Sequence, residues 1–145
     1  MRGLVPALLV ALSVTIGACE PKPSTVEWQG HTLQEVRTLA GLPAAIQAEL
    51  GVGRPGTDGV ADRGRPFNVT DVVRDNLPMR RLLTAGRDGD TWLVALERGG
   101  RAHYVEVFLF TAGEATPKQK WVISSDSKSL SDVIQQISRE GRHGG

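Results

Sequence analysis

The chain reads as an α+β protein: an antiparallel β-meander of four to five strands, with N-terminal and C-terminal helices packed on one face. Three observations lead there. Apolar residues alternate with others along Thr91–Glu97 and Ala102–Thr111, which is the period of a strand. Asp88-Gly89 and Gly99-Gly100 break these runs, and both dipeptides are hairpin signals. Leu130, Val133, Ile134 and Ile137 then recur at helical spacing, the stripe of an amphipathic helix.

Residues 1–18 stand apart from this domain. Arg2 is their one charge, an apolar run extends from Leu4 through Val14, and small residues precede Cys19. A positive start, a short apolar core and small residues before a cut make a secretory signal peptide. The run is too short for a transmembrane helix, which needs roughly 20 apolar residues.

Ile16-Gly17-Ala18-Cys19 resembles the lipobox of bacterial lipoproteins, with Ile16 where leucine is usual. The resemblance covers the first 19 residues. It implies that Cys19 becomes residue one and is diacylated on sulfur and acylated on its amine. Each buried methylene contributes about 0.8 kcal/mol, so several chains hold a protein on a membrane essentially permanently. Aspartate after the cysteine goes with inner-membrane retention in that family's enteric-type members. Glu20 stands there instead, so the resemblance implies the periplasmic face of the outer membrane. Outside the resemblance, a lone cysteine would be a free thiol or half of an intermolecular disulfide.

Cys19 is the only cysteine, so the domain has no internal disulfide and depends on packing. Removing residues 1–18 takes away Arg2 alone, and 17 basic residues become 16 against 16 acidic ones. A neutral chain offers no basic face for nucleic acid. What remains fits one domain of ordinary size: a lipidated tether over 19–27, a domain over 28–140 and a flexible tail over 141–145. Pro21 and Pro23 keep the tether extended, so the domain works close to its membrane.

Within the domain, Thr32-Leu33-Gln34-Glu35 has capping-box spacing and predicts a helix with Thr32 as N-cap. Leu33, Val36, Leu39 and Ala40 supply its stripe, and Gly41 its stop. A second helix is predicted from Pro43, with Ile46 and Leu50 inward and Gly51 at its end. Val52–Pro66 is rich in glycine and charge, a long loop of the kind that is functional or mobile. Strands follow over Phe67–Val73, Arg81–Ala85, Thr91–Glu97, Ala102–Thr111 and Lys120–Ser124, and a helix over Leu130–Glu140. In the third of these strands Trp92, Val94 and Leu96 share a face.

Chemistry-bearing motifs are sparse. Gly51-Val52-Gly53-Arg54-Pro55-Gly56 matches G-x-G-x-x-G, but it follows a helix and opens a loop, the reverse of a dinucleotide site. Ser125-Asp126-Ser127-Lys128 matches S-x-x-K without the companion elements of penicillin-binding enzymes, and reads as a loop feeding the last helix. His31, His103 and His143 are scattered. Asp58, Asp62, Asp88 and Asp90 lack calcium-loop spacing. No catalytic set, metal or cofactor is expected.

One polar constellation stands out: Asp62, Arg63, Asn68 and Asp71 around the long loop, then Arg80 and Arg81. It reads either as a recognition surface whose arginines grip a partner's carboxylate or carbonyl, or as internal ion pairs pinning the loop. Arg80 and Arg81 are adjacent, so on a strand they face opposite sides and do not form one clamp. The expectation is a non-enzymatic envelope protein bound to the membrane through Cys19 and to a periplasmic protein partner. An inhibitor or immunity-type protein against a toxin or hydrolase fits, as does an accessory protein of an envelope assembly. A small-ligand module is the third reading.

Overall fold

A computed structural model describes residues 22–140; Cys19, Glu20 and the 141–145 tail lie outside them. The element order is β1 (Thr25–Trp28), β2 (His31–Val36), α1 (Ala44–Leu50), β3 (Val60–Ala61), β4 (Arg80–Asp88), β5 (Thr91–Arg98), β6 (Tyr104–Thr111), β7 (Gln119–Ser124) and α2 (Leu130–Glu140), with single 3-10 turns at Leu39–Gly41 and Gly56–Asp58. The strands form one seven-stranded sheet in the order β1-β2-β4-β5-β6-β7, and β3 pairs in parallel with β4. The fold is α+β, with more strands than the four to five expected.

The predicted helix over Thr32–Ala40 is instead strand β2 as far as Val36, followed by the 3-10 turn that begins at Leu39. Gln29 and Gly30 take φ values of 47° and 82°, the left-handed pair that closes a tight hairpin. Trp28 then faces His31, and Val26 faces Leu33. Leu33 and Glu35 are buried while Thr32 and Gln34 are exposed, a period of two that the apparent helical spacing disguised. Thr25–Glu27, assigned to the tether, belong to β1. The predicted strand over Phe67–Val73 is irregular chain. Its backbone bonds go elsewhere: the Asn68 amide donates to the Pro78 carbonyl, and the Val69 carbonyl accepts from Gly100.

The second helix forms as expected. Pro43 is the residue before its first turn, and Gly51 ends it at φ 86°, its amide bonded back to the helix. Ile46 and Leu50 are its buried residues, and full burial of such side chains contributes roughly 1.5–3 kcal/mol each. The loop after it carries β3, too short to be visible as a pattern.

Both faces of the sheet are covered, so the two helices are not on one face. On one side α2 buries Leu130, Val133, Ile134 and Ile137 against Leu33, Leu83, Leu93, Ala95, Val105 and Val107. On the other, Leu39, Leu42, Ile46 and Leu50 pack on Leu82, Ala85, Trp92, Val94, Leu96, Phe108 and Phe110. Neighbouring residues of a strand point to opposite faces, and β5 is buried from Trp92 through Glu97 because it feeds both layers. Leu82 and Leu83 serve different layers by the same alternation, and a bulge at Leu82–Thr84 inserts Leu83 as an extra residue that shifts the β4–β5 register by one.

Candidate functional site

The structure distributes the six polar residues that the sequence groups together. Asp62 accepts from the Leu39 amide at 3.1 Å and the Arg63 amide at 2.9 Å, tying the loop to the chain after β2. Arg63 Nη1 donates to Glu35 Oε1 at 3.2 Å. Asn68 is buried and staples the following loop. Its amide nitrogen donates to the carbonyls of Arg74 and Leu77, and its oxygen accepts from the Arg74 amide. Asp71 is exposed on that loop. Arg80 Nη2 donates to the Leu50 carbonyl at 2.6 Å, at the C-terminal end of α1. Arg81 grips Glu97 through Nε at 2.8 Å and Nη2 at 2.7 Å and lies 4.3 Å over the Phe67 ring.

Arg80 pairs with Arg98 and Arg81 with Glu97 across the β4–β5 ladder. Arg80 thus lies on the α1 side with Leu82, and Arg81 on the α2 side. Each opens on a different cleft. Arg81 and Arg63 come together along about 280 Å³ with Glu97 and Lys128. Arg80 lies with Arg54, Arg98, Asp58, Thr57 and Met79 around about 400 Å³.

Three buried carboxylates organise these cations. Glu35 accepts from Ser24 Oγ, Arg37 Nε and Nη2, Arg63 Nη1 and Thr84 Oγ1. Burial pushes its pKa up, but the hydrogen bonds from Arg37, Ser24 and Arg63 and the charge of Arg37 outweigh it and hold the carboxyl at about 2. Glu97 lies between Arg81 and His103, whose Nε2 is 3.8 Å away; His103 sits just outside β6. Glu106 receives Lys120 Nζ on Oε1 at 2.7 Å, with Arg98 Nη1 3.8 Å from Oε2.

The sequence reading missed Glu35, Glu97 and Glu106, although each sits in phase with inward-facing residues of its strand. Arg54 and Arg98 were missed because nothing local marks them. The hairpin signalled by Gly99-Gly100 has a loop longer than that dipeptide, since β5 ends at Arg98 and β6 begins only at Tyr104. Gly99 serves a close approach: a Cβ there would overlap the Asn68 carbonyl oxygen.

Three of the four exposed large apolar residues among the described ones, Val69, Val72 and Val73, lie on the loop that Asn68 fixes. Among the described residues no cluster of His, Cys, Asp and Glu is arranged to hold a metal ion, and no helix is long and apolar enough to cross a membrane. No family model matches the chain, and no curated protein or solved structure matches it significantly.

Proposed function

We propose that the chain is a lipid-anchored protein of the bacterial envelope, held through Cys19 on the periplasmic face of the outer membrane, whose domain binds and blocks another protein. An inhibitor or immunity-type protein acts in this way against a toxin or hydrolase. The observation that carries the reading is the valine loop. Val72 is 73 % exposed, with Val69 and Val73 beside it at 45 % and 47 %. Asn68 closes the loop that carries this apolar surface through three side-chain hydrogen bonds, to Arg74 and Leu77. Loops fixed on a rigid scaffold carry recognition, and preorganisation lowers the entropy lost on binding. Asp71 and Arg101 lie with Val69 and Thr70 along a neighbouring cleft and supply a charged rim.

Of the six polar residues, Asp71 is the one without an internal side-chain contact among the described residues, which leaves it for a partner. The anchor suits this role. With β1 beginning at Thr25, the segment between Cys19 and the fold is shorter than the sequence implies, and the target must meet the domain near its membrane.

The test is capture from detergent-solubilised membranes with the wild-type protein and Val72→Asp as baits. One protein should be enriched by the wild type and lost with Val72→Asp at unchanged melting temperature. If the captured protein is a hydrolase or toxin, adding the domain should lower its activity. Equal capture by both baits, or capture of assembly components with no activity to inhibit, would remove the blocking role.

A further inference from the structure

We infer that the cleft between the C-terminal end of α1 and the β4–β5 ladder is a binding site for an oxyanion, a phosphate or carboxylate group, held by Arg54, Arg80 and Arg98. This goes beyond the protein-binding reading and does not depend on it. The cleft of about 400 Å³ is lined by three guanidiniums and a single carboxylate, Asp58, with Thr57 and Met79 completing the wall. Its volume lies in the range of small-molecule sites.

The three arginines differ in how far the fold has already engaged them. Arg80 is the floor. Its Nη2 donates to the Leu50 carbonyl at 2.6 Å, which ties the guanidinium to the end of α1. Burial, then the like charges of Arg98 and Arg54, hold the Arg80 pKa below its ordinary value against the opposing pull of Glu106 and Asp58. An anion placed there would relieve that repulsion. Arg54 is exposed on the turn after α1. A Cβ built on Gly51 would stand 3.4 Å from both Arg54 Cδ and Arg80 Nη2, so the two side chains flank the same point.

Arg98 is the third jaw. Its Nη1 stops 3.8 Å from Glu106 Oε2, beyond hydrogen-bond reach. That oxygen is buried and has no hydrogen-bond partner among the described residues, and Glu106 as a whole is 5 % exposed. A buried, unbonded carboxylate oxygen is costly, and a neighbouring arginine would ordinarily close the gap. Arg98 also lines the adjoining recess of about 190 Å³ with Glu106 and Lys120. It stands between two uses: turned in, it bonds Glu106; turned out, it reaches the cleft while Lys120 keeps Glu106 neutralised. Arginine is suited to such a site, because its planar fork meets carboxylate and phosphate oxygens in pairs.

The experiment uses the full chain in uncharged dodecyl maltoside micelles, with arginine labelled by nitrogen-15. Sodium phosphate and sodium succinate are titrated separately at ionic strength fixed with sodium chloride, and phosphatidylglycerol is added to the micelles in a third arm. The side-chain Nε–H signals of Arg54, Arg80 and Arg98 should shift saturably in at least one arm. Saturation by phosphate or succinate identifies a free small anion; a response to phosphatidylglycerol alone identifies a lipid headgroup phosphate. Arg54→Ala and Arg98→Ala, both on exposed or half-exposed side chains, should each weaken binding about tenfold, the loss of one charge-assisted contact. Asp58→Asn should tighten it. Shifts that stay linear or match those with chloride, or an affinity unchanged in both arginine variants, would overturn the proposal.

Discussion

Arg63 Nη1 donates to Glu35 Oε1 at 3.2 Å, and this contact joins the long loop after α1 to the second strand of the sheet. Asp62, one residue earlier, bonds the Leu39 amide. The loop is therefore pinned at two successive positions. Arg63→Ala should lower the melting temperature by about 3–6 °C, corresponding to about 1 kcal/mol for a domain of this size. Thermal unfolding followed by circular dichroism measures it. A melting curve identical to wild type would show that the contact does not brace the loop and leave Arg63 free for recognition.

Glu35 predicts the acid response. Its folded pKa of about 2 lies below the ordinary 4.5. Between those values the unfolded chain binds more protons than the folded one, so stability is full above about 4.5 and falls as pH drops toward 2. A shift of that size corresponds to about 3 kcal/mol, which the partly exposed Arg37 and Arg63 partners reduce to about 2. Urea unfolding of wild type and Glu35→Gln at pH 7 and pH 3 gives the comparison. The variant should be less stable at pH 7 and should lose less on acidification; parallel losses would assign the acid sensitivity to other carboxylates.

Asn68 closes the valine loop with its side chain, and Gly99 packs against the Asn68 and Val69 backbone. Asn68→Ala removes three hydrogen bonds from a buried position and should cost about 2 kcal/mol. Amide exchange over residues 69–77 should accelerate more than in the sheet. Gly99→Ala should be worse, because the new methyl meets the Asn68 carbonyl and the chains must part. Unchanged exchange in Asn68→Ala would mean the loop is ordered by something other than this side chain.

Cys19→Ser should abolish incorporation of a radiolabelled fatty acid and release the protein from membranes. Equal label in both forms would end the anchoring proposal. Recovery of the wild type with inner-membrane markers on a density gradient would instead overturn only the outer-membrane address.

Features carried by contiguous residues were legible. α2 matches its predicted span of Leu130–Glu140, because four apolar residues at helical spacing have one arrangement that buries them all. The β5 and β6 strands and the Asp88-Gly89 turn follow from alternation and a left-handed glycine. So does the end of α1 at Gly51. The opposite facing of Arg80 and Arg81 needed only the period of a strand.

What failed was anything that depends on a distant partner. Thr32–Val36 carries a helix-like cap and a usable strand pattern at once, and the pairing of Val26 with Leu33 and Val36 with Ala85 decides between them. Phe67–Val73 has strand-like residues, but Asn68 and Gly99 divert its backbone. The second covered face is invisible in β5 alone, where an unbroken buried run fits a strand between two layers as well as a buried helix. Local sequence determined periods, turns and caps, because these are settled within one or two turns of chain. The tertiary structure decided which face each helix covers and which arginine meets which carboxylate, because those energies exist only once segments far apart in sequence are packed together.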